Sequence, residues 1–379
     1  MKKVQYILAN VMLVVVLLFV ACSSPTLTPT PAEPLPPVKD TPPTSPAPPE
    51  TSLPDTSTLP VKYDMPRGTA DPDITVDVYV PEKVWPGTTL LADLHVADRP
   101  RIIELNLRGE IVWEYLVPAG LAQYTNPGFD VEWLPNDNVL FVLPRHGVYE
   151  INRDGDTVWS YLQPKVSHDA DRLPNGNTLM AWGGGDTKQD AQAREVNPDG
   201  ETVWSWRAGD YFDRPPYSDI DDEGWTHTNA VSRLENGNTL ISPRNFNFLV
   251  EVDAEGNIVR TIGEGTFKGQ HDPEIQSNGN ILLANHGRPH RVIEYNPESD
   301  SVAWQSRGFL PDVTPVRDAD RLPNGNILIT AATVTVEIAP DGLAHGELVW
   351  RMLLGNIDFQ TKMDRSGLGF YKAERVGGY

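Results

Sequence analysis

The chain has 379 residues, enough for two average domains or for one repeat fold. Its formal charge of −21 excludes a nucleic-acid partner, which needs basic surface to neutralise phosphates. An anionic substrate would be repelled globally, so its site must carry local arginine and histidine.

The chain opens as a targeting segment. Lys2 and Lys3 form a positive start, and the apolar stretch 11–20 is too short to span a bilayer. It ends in Leu18-Phe19-Val20-Ala21-Cys22, which resembles a bacterial lipobox. Residues 1–21 are thus expected to be a lipoprotein signal peptide, and Cys22, the only cysteine, the lipidated mature N-terminus. The folded part then has no disulfide. Residues 22–61 are rich in Pro, Thr and Ser with little to bury, which gives an extended linker. The expected location is extracytoplasmic, in the periplasm or at the cell surface, with the protein held to a membrane by its lipid.

Residues 62–379 hold one phrase five times: FDVEWLPNDNVL (129–140), HDADRLPNGNTL (168–179), NAVSRLENGNTL (229–240), HDPEIQSNGNIL (271–282) and RDADRLPNGNIL (317–328). Asn-Gly between strand-like runs signals a hairpin, expected here as a two-residue primed turn. A second strand pair closes each unit and commonly ends in tryptophan: Trp159, Trp204, Trp304 and Trp350. The final Asn of the turn falls at 138, 177, 238, 280 and 326, in steps of 39, 61, 42 and 46 residues. That is the size of a four-stranded propeller blade. A weaker unit over 87–113, ending in Trp113, brings the count to six. The expected fold is all-β, a six-bladed β-propeller with a central channel. Residues 62–86 read as an edge strand or cap, and 369–376 as a strand closing the ring on the first blade. The tryptophans read as inter-blade packing. The long acidic, aromatic insert 207–224 reads as either a substrate-contacting lid or a solvated loop.

The first position of the phrase carries Phe129, His168, Asn229, His271 and Arg317, and His227 stands two residues before the third. A simple hairpin register pairs Asn229 with Arg244, His271 with His286, His168 with Gly183 and Arg317 with Ala332. All would lie where the inner strands converge on one channel mouth. His168, His227, Arg244 and His271 form a donor-rich cationic cluster suited to a tetrahedral oxyanion. Asn229, His286 and Arg317 complete it as substrate contacts. His95, His146, His290 and His345 share no register with these. No zinc-binding spacing is present, and Arg244 disfavours a metal cation there.

At these residues the chain resembles the bacterial aryl-sulfate sulfotransferases. The matching segments are Ser167-His168-Asp169, Trp225-Thr226-His227-Thr228-Asn229, Ser242-Pro243-Arg244 and Gly269-Gln270-His271-Asp272. The resemblance implies a six-bladed propeller that moves a sulfuryl group from an aryl sulfate donor to a phenolic acceptor, with no nucleotide donor and no cofactor. It implies His271 as the nucleophile that becomes a sulfohistidine, with His168, His227, Asn229 and Arg244 on the sulfuryl oxygens. A homodimer is compatible with it. Two other readings stay open: a non-catalytic anchored propeller binding an anion, glycan or protein at the same mouth, and a metal- or quinone-dependent propeller enzyme.

Overall fold

Each Asn-Gly turn builds its hairpin through one set of contacts. In the third blade Leu173 N–H donates to the Asn177 carbonyl at 2.8 Å, and Gly176 N–H donates to the Leu173 carbonyl at 2.9 Å. The loop is therefore three residues, Pro174-Asn175-Gly176, with only the last at positive φ (85°). This corrects the expected two-residue primed turn. Pro174 fixes its own φ near −65°, which a primed turn forbids and a type I turn with a following left-handed residue requires. Asp137 takes that left-handed position in the second blade, at φ 65°.

The last Asn of the phrase then reaches the third strand of its own blade. Asn138, Asn177, Asn238, Asn280 and Asn326 donate to Glu150, Glu195, Glu251, Glu294 and Glu337 at 2.6–2.7 Å. Four of these glutamates also accept an arginine from the next blade: Arg172, Arg233, Arg321 and Arg375, at 2.6–3.0 Å. The turn chemistry thus fastens blade to blade as well as strand to strand.

The computed structural model describes residues 65–377 apart from 97, 127, 307–314, 341–345 and 356–368. The expected signal peptide, Cys22 and linker lie outside the described residues, as does His345. Among the described residues no helix is long and apolar enough to cross a membrane.

Six antiparallel sheets follow in chain order, four of them with four consecutive strands. The first blade takes its innermost strand from the C-terminus: Phe370–Val376 pairs with Thr88–Asp93. Thr69–Ala70 adds to the outer edge of that blade, and Ile74–Tyr79 to the outer edge of the sixth. Both chain ends therefore secure the seam between blades six and one. The apolar core lies between neighbouring sheets; Phe129 and Phe141 of blade two, for example, pack with Leu90 and Ile102 of blade one. Each such side chain contributes about 1.5–3 kcal/mol by leaving water.

The terminal tryptophans do pack between blades. Trp113, Trp159, Trp204 and Trp350 donate their indole N–H to the Arg153, Pro198, Ala254 and Leu107 carbonyls, at 2.8–3.1 Å. The insert after Trp206 packs on blade four through its aromatic residues. Its Phe212 and Tyr217 lie 5.0–5.6 Å from the rings of Phe246 and Phe248 in blade four.

Candidate active site

The slot residues sit on bulges. The inner strand shifts register between Val166 and Ala170, Thr228 and Ala230, His271 and Glu274, and Val316 and Asp318. The simple hairpin pairing is therefore corrected: His271 opposes Ala284, and Thr228 and Ala230 oppose Pro243 and Ser242. A bulge turns two successive side chains to related directions. Here it sends the slot residue to the channel mouth and the next residue into the channel below.

His271 is buried, and its Nδ1 lies 3.0 Å from the Gly269 carbonyl oxygen. A carbonyl can only accept, so Nδ1 carries the proton and Nε2 keeps the lone pair. The His286 ring stacks on it with centroids 4.9 Å apart. On the other side His168 stacks on His227 at 5.5 Å. His227 stands at φ 48° with a 12% exposed side chain, its Nδ1 3.9 Å from Glu223. Arg244 is half-buried, makes no ion pair among the described residues, and donates to the Asn245 side chain at 3.1 Å.

The electrostatics converge. Burial foremost, and then neighbouring imidazoles and Arg244, holds His168 at about 3 and His271 well below the ordinary histidine value. Burial, then Arg317 and Arg244, brings His286 to about 3. Burial and Arg244 also lower His227. Burial therefore keeps all four imidazoles neutral near pH 7, and one guanidinium, Arg244, adds to the effect at each. That leaves a lone pair beside a fixed cation, which suits attack on an electrophile carrying anionic oxygens.

Two sequence candidates have other commitments. Asn229 donates its amide to the Gln270 carbonyl at 2.8 Å, tying blade four to the residue before His271, and its buried Oδ1 has no hydrogen-bond partner among the described residues. Arg317 donates to the Phe370 carbonyl at 3.3 Å and lies 5.3 Å over the Tyr371 ring. His95 pairs with Asp93 at 2.6 Å, and His146 bonds the Tyr149 hydroxyl at 2.7 Å, so both are occupied outside the cluster. His290 meets the cluster at His286, through its carbonyl at 2.5 Å and edge-on to its ring at 5.8 Å.

Tyr371 was not read as a site residue, yet it holds the sixth slot. Its ring lies 5.8 Å from His168, over Gly128, where an added Cβ would fall 2.0 Å from the Tyr371 ring. Tyr371-Lys372-Ala373-Glu374-Arg375 repeats the frame of Arg317-Asp318-Ala319-Asp320-Arg321. That signal was available, but no Asn-Gly turn follows it. A cavity of about 180 Å³ opens beside His168 and His227; Arg145, Ser167, Glu223 and the Gly183-Gly184-Gly185 backbone line it.

Below the slot ring lies a ring of charge. Lys372 Nζ is 3.1 Å from Asp130, 3.3 Å from Asp272 and 3.7 Å from Asp169. Asp130, Asp169 and Asp318 also accept backbone N–H groups of the following blade, from Ala170, Val231 and Ala373. Among the described residues the one carboxylate group close enough to hold a metal ion is Asp272, Asp318 and Asp320, within 4.8 Å. Lys372 already supplies positive charge to it.

Residues 88–272 match the family model described as Arylsulfotransferase (ASST). No curated protein matches the chain. Among solved structures, a protein of unknown function from Bacteroides caccae is similar at 19% identity and a TM-score of 0.54, covering 76% of this chain and 98% of its own. A catalytically inactive virginiamycin B lyase from Staphylococcus aureus, solved with quinupristin, is similar at 10% identity and a TM-score of 0.45, covering 73% and 88%. The first likeness bears on the fold alone, and the second, at that score, adds nothing to it. The match over 88–272 spans the slot residues His168, Asn229 and His271, so this part of the chain is similar to the arylsulfotransferase family.

Proposed function

We propose that this protein is an arylsulfotransferase that moves a sulfuryl group from an aryl sulfate to a phenol through a covalent sulfohistidine at His271, without a nucleotide donor. The observation that carries the reading is the His271 tautomer, with Nδ1–H held by the Gly269 carbonyl and Nε2 left with its lone pair. In the first half-reaction Nε2 forms a bond to sulfur while the sulfur–oxygen bond to the aryl group breaks, and the phenolate leaves with the electron pair. In the second half-reaction a phenol oxygen attacks the sulfur, the nitrogen–sulfur bond breaks and the imidazole is regenerated.

Arg244 and the imidazoles of His168 and His227 hold the sulfuryl oxygens, on which charge builds in each transition state. His227, partly exposed and beside Glu223, relays the phenol proton. His286 stacks on the nucleophile and fixes its plane. Asn229 serves by fixing the Gln270 carbonyl, and with it the approach of His271. The expected kinetics are ping-pong.

The test is release of 4-nitrophenol from 4-nitrophenyl sulfate in the presence of phenol. His271→Ala should abolish it while leaving the thermal transition in place. Release at the wild-type rate in that variant would remove His271 from the chemistry. Ligand-dependent stabilisation without any turnover would instead favour the binding-protein reading.

The surface-anchored lipoprotein is proposed alongside, from the lipobox resemblance and the single cysteine. Cys22→Ser should then move the protein from the membrane fraction to the soluble fraction.

A further inference from the structure

His227 is partly exposed, with a side chain 12% accessible. It stands at φ 48°, where a side chain with a Cβ is disfavoured, and it follows the long insert. Something must hold it there. Its own strand does not, because pairing in blade four begins only at Thr228.

Two polar side chains outside the chemical cluster grip this segment from opposite sides. Asp186 is 3% exposed and has no lysine or arginine partner among the described residues. Its carboxylate accepts the Thr226 N–H at 3.1 Å, the His227 N–H at 3.1 Å and the Thr226 hydroxyl at 2.6 Å. Gln192 supplies a fourth donor at 3.0 Å. Two glycines make the room: an added Cβ would fall 2.7 Å from Asp186 Oδ1 at Gly224, and 2.9 Å from Asp186 Cβ at Gly183. A buried carboxylate compensated wholly by neutral donors, two of them successive backbone N–H groups, is an expensive arrangement for mere packing.

Asn245 grips the carbonyl side. Its amide nitrogen donates to the Asp222, Gly224 and Trp225 carbonyls at 2.9, 3.1 and 3.3 Å, and its own N–H donates to the Thr226 carbonyl at 3.0 Å. Its side-chain oxygen accepts from Arg244 at 3.1 Å. One amide therefore links the backbone that carries His227 to the guanidinium that acts on all four imidazoles.

We propose that Asp186 and Asn245 are the positioning residues of the candidate site, holding the 222–227 backbone so that His227 and Arg244 keep a fixed relation to each other. They touch neither sulfur nor phenol. The kinetic consequence rests on the sulfuryl-transfer reading; the structural consequence does not. Residues 222–227 then form a fixed wall of the site, with no freedom to open as a lid.

The test uses the full chain with Asp186→Asn and, separately, Asn245→Ala. Amide hydrogen exchange at residues 222–227, the His227 ring nitrogen signals and steady-state kinetics with 4-nitrophenyl sulfate are read for each. Exchange at Thr226 and His227 should rise at least about tenfold in Asp186→Asn, as four donors compete for one remaining neutral acceptor oxygen. In both variants kcat should fall roughly 10- to 100-fold with KM within about threefold, because the binding groups remain but lose alignment. Ile103→Val, which trims the distant core between blades one and six, controls for general destabilisation and should lower the melting temperature while leaving that ratio alone. Wild-type exchange and wild-type His227 signals in Asp186→Asn would overturn the proposal. Wild-type kcat in Asn245→Ala would overturn its Arg244 arm. A wild type without turnover would sink the sulfuryl-transfer reading alone, and the exchange measurement would still decide this one.

Discussion

The neutral state of the buried imidazoles sets the acid limb of the reaction, and the perturbation is pH itself. An exposed imidazole with a pKa near 6.5 is about 76% neutral at pH 7 and about 3% neutral at pH 5, a loss of roughly 25-fold in reactive form. His168 and His286 stand at about 3 and His271 well below its ordinary value, because burial and the neighbouring Arg244 and imidazoles penalise a second proton. A group at about 3 is still about 99% neutral at pH 5. We therefore expect kcat/KM for 4-nitrophenyl sulfate to change by less than about twofold between pH 7 and pH 5, with 4-nitrophenol quantified after an alkaline quench. Replacing Arg244 by Gln removes one contribution to the depression and should move the acid limb upward, besides lowering the rate. An acid limb centred near 6.5 in the wild type would refute the reasoning, for it would mean the attacking imidazole is solvated.

Three further predictions concern the ring below the site and its closure. Lys372→Met leaves Asp130, Asp169 and Asp272 without their shared cation and should cost about 3–5 kcal/mol at pH 7, or about 6–15 °C in melting temperature. The loss should shrink at pH 5, because burial raises Asp130 and Asp169 and lets them neutralise by taking protons. Glu132 is pushed up to about 8, mainly by burial, so the folded state binds a proton that the unfolded chain releases above about 4.5; its contribution is lost as pH rises through that window. Glu132→Gln should accordingly match the wild type near pH 4 and lose less stability between about pH 4 and 8, as read by urea titration at each pH. Deleting residues 369–379 removes the innermost strand of blade one, with buried Phe370 and Ala373 and the Lys372 cation, and should abolish cooperative unfolding in calorimetry.

The ring of blades was legible because its signal is local and repeated. The Asn-Gly turn, the spacing of the final Asn and the terminal tryptophans each repeat within one blade's length, and each has a direct physical job in the structure. The cluster was legible for a related reason: departures from the repeat at 168, 227 and 271 are departures at one end of the inner strands. What the phrase could not convey was bulge geometry. A slipped pair before Ala230 or Glu274 leaves no mark on apolar alternation, since the slipped residues Asn229, Asp272 and Pro273 carry none of the large apolar side chains that set it. The turn register was misread because Asn-Gly suggests a primed turn, while the preceding Pro174 dictates another. Tyr371 and Lys372 were missed because their strand ends the chain, with no hairpin after it to announce the repeat. Asp186 and Asn245 have only a tertiary signature: four donors meeting one carboxylate, and three carbonyls meeting one amide.

The central claim is the covalent step at His271. Protein mixed with 4-nitrophenyl sulfate in the absence of acceptor, quenched at alkaline pH and digested, should yield the peptide bearing His271 with the added mass of one sulfuryl group. The added mass should disappear when phenol is supplied before the quench. An unmodified His271 peptide under conditions where 4-nitrophenol is released, or the added mass on His168 or His227 instead, would contradict the account.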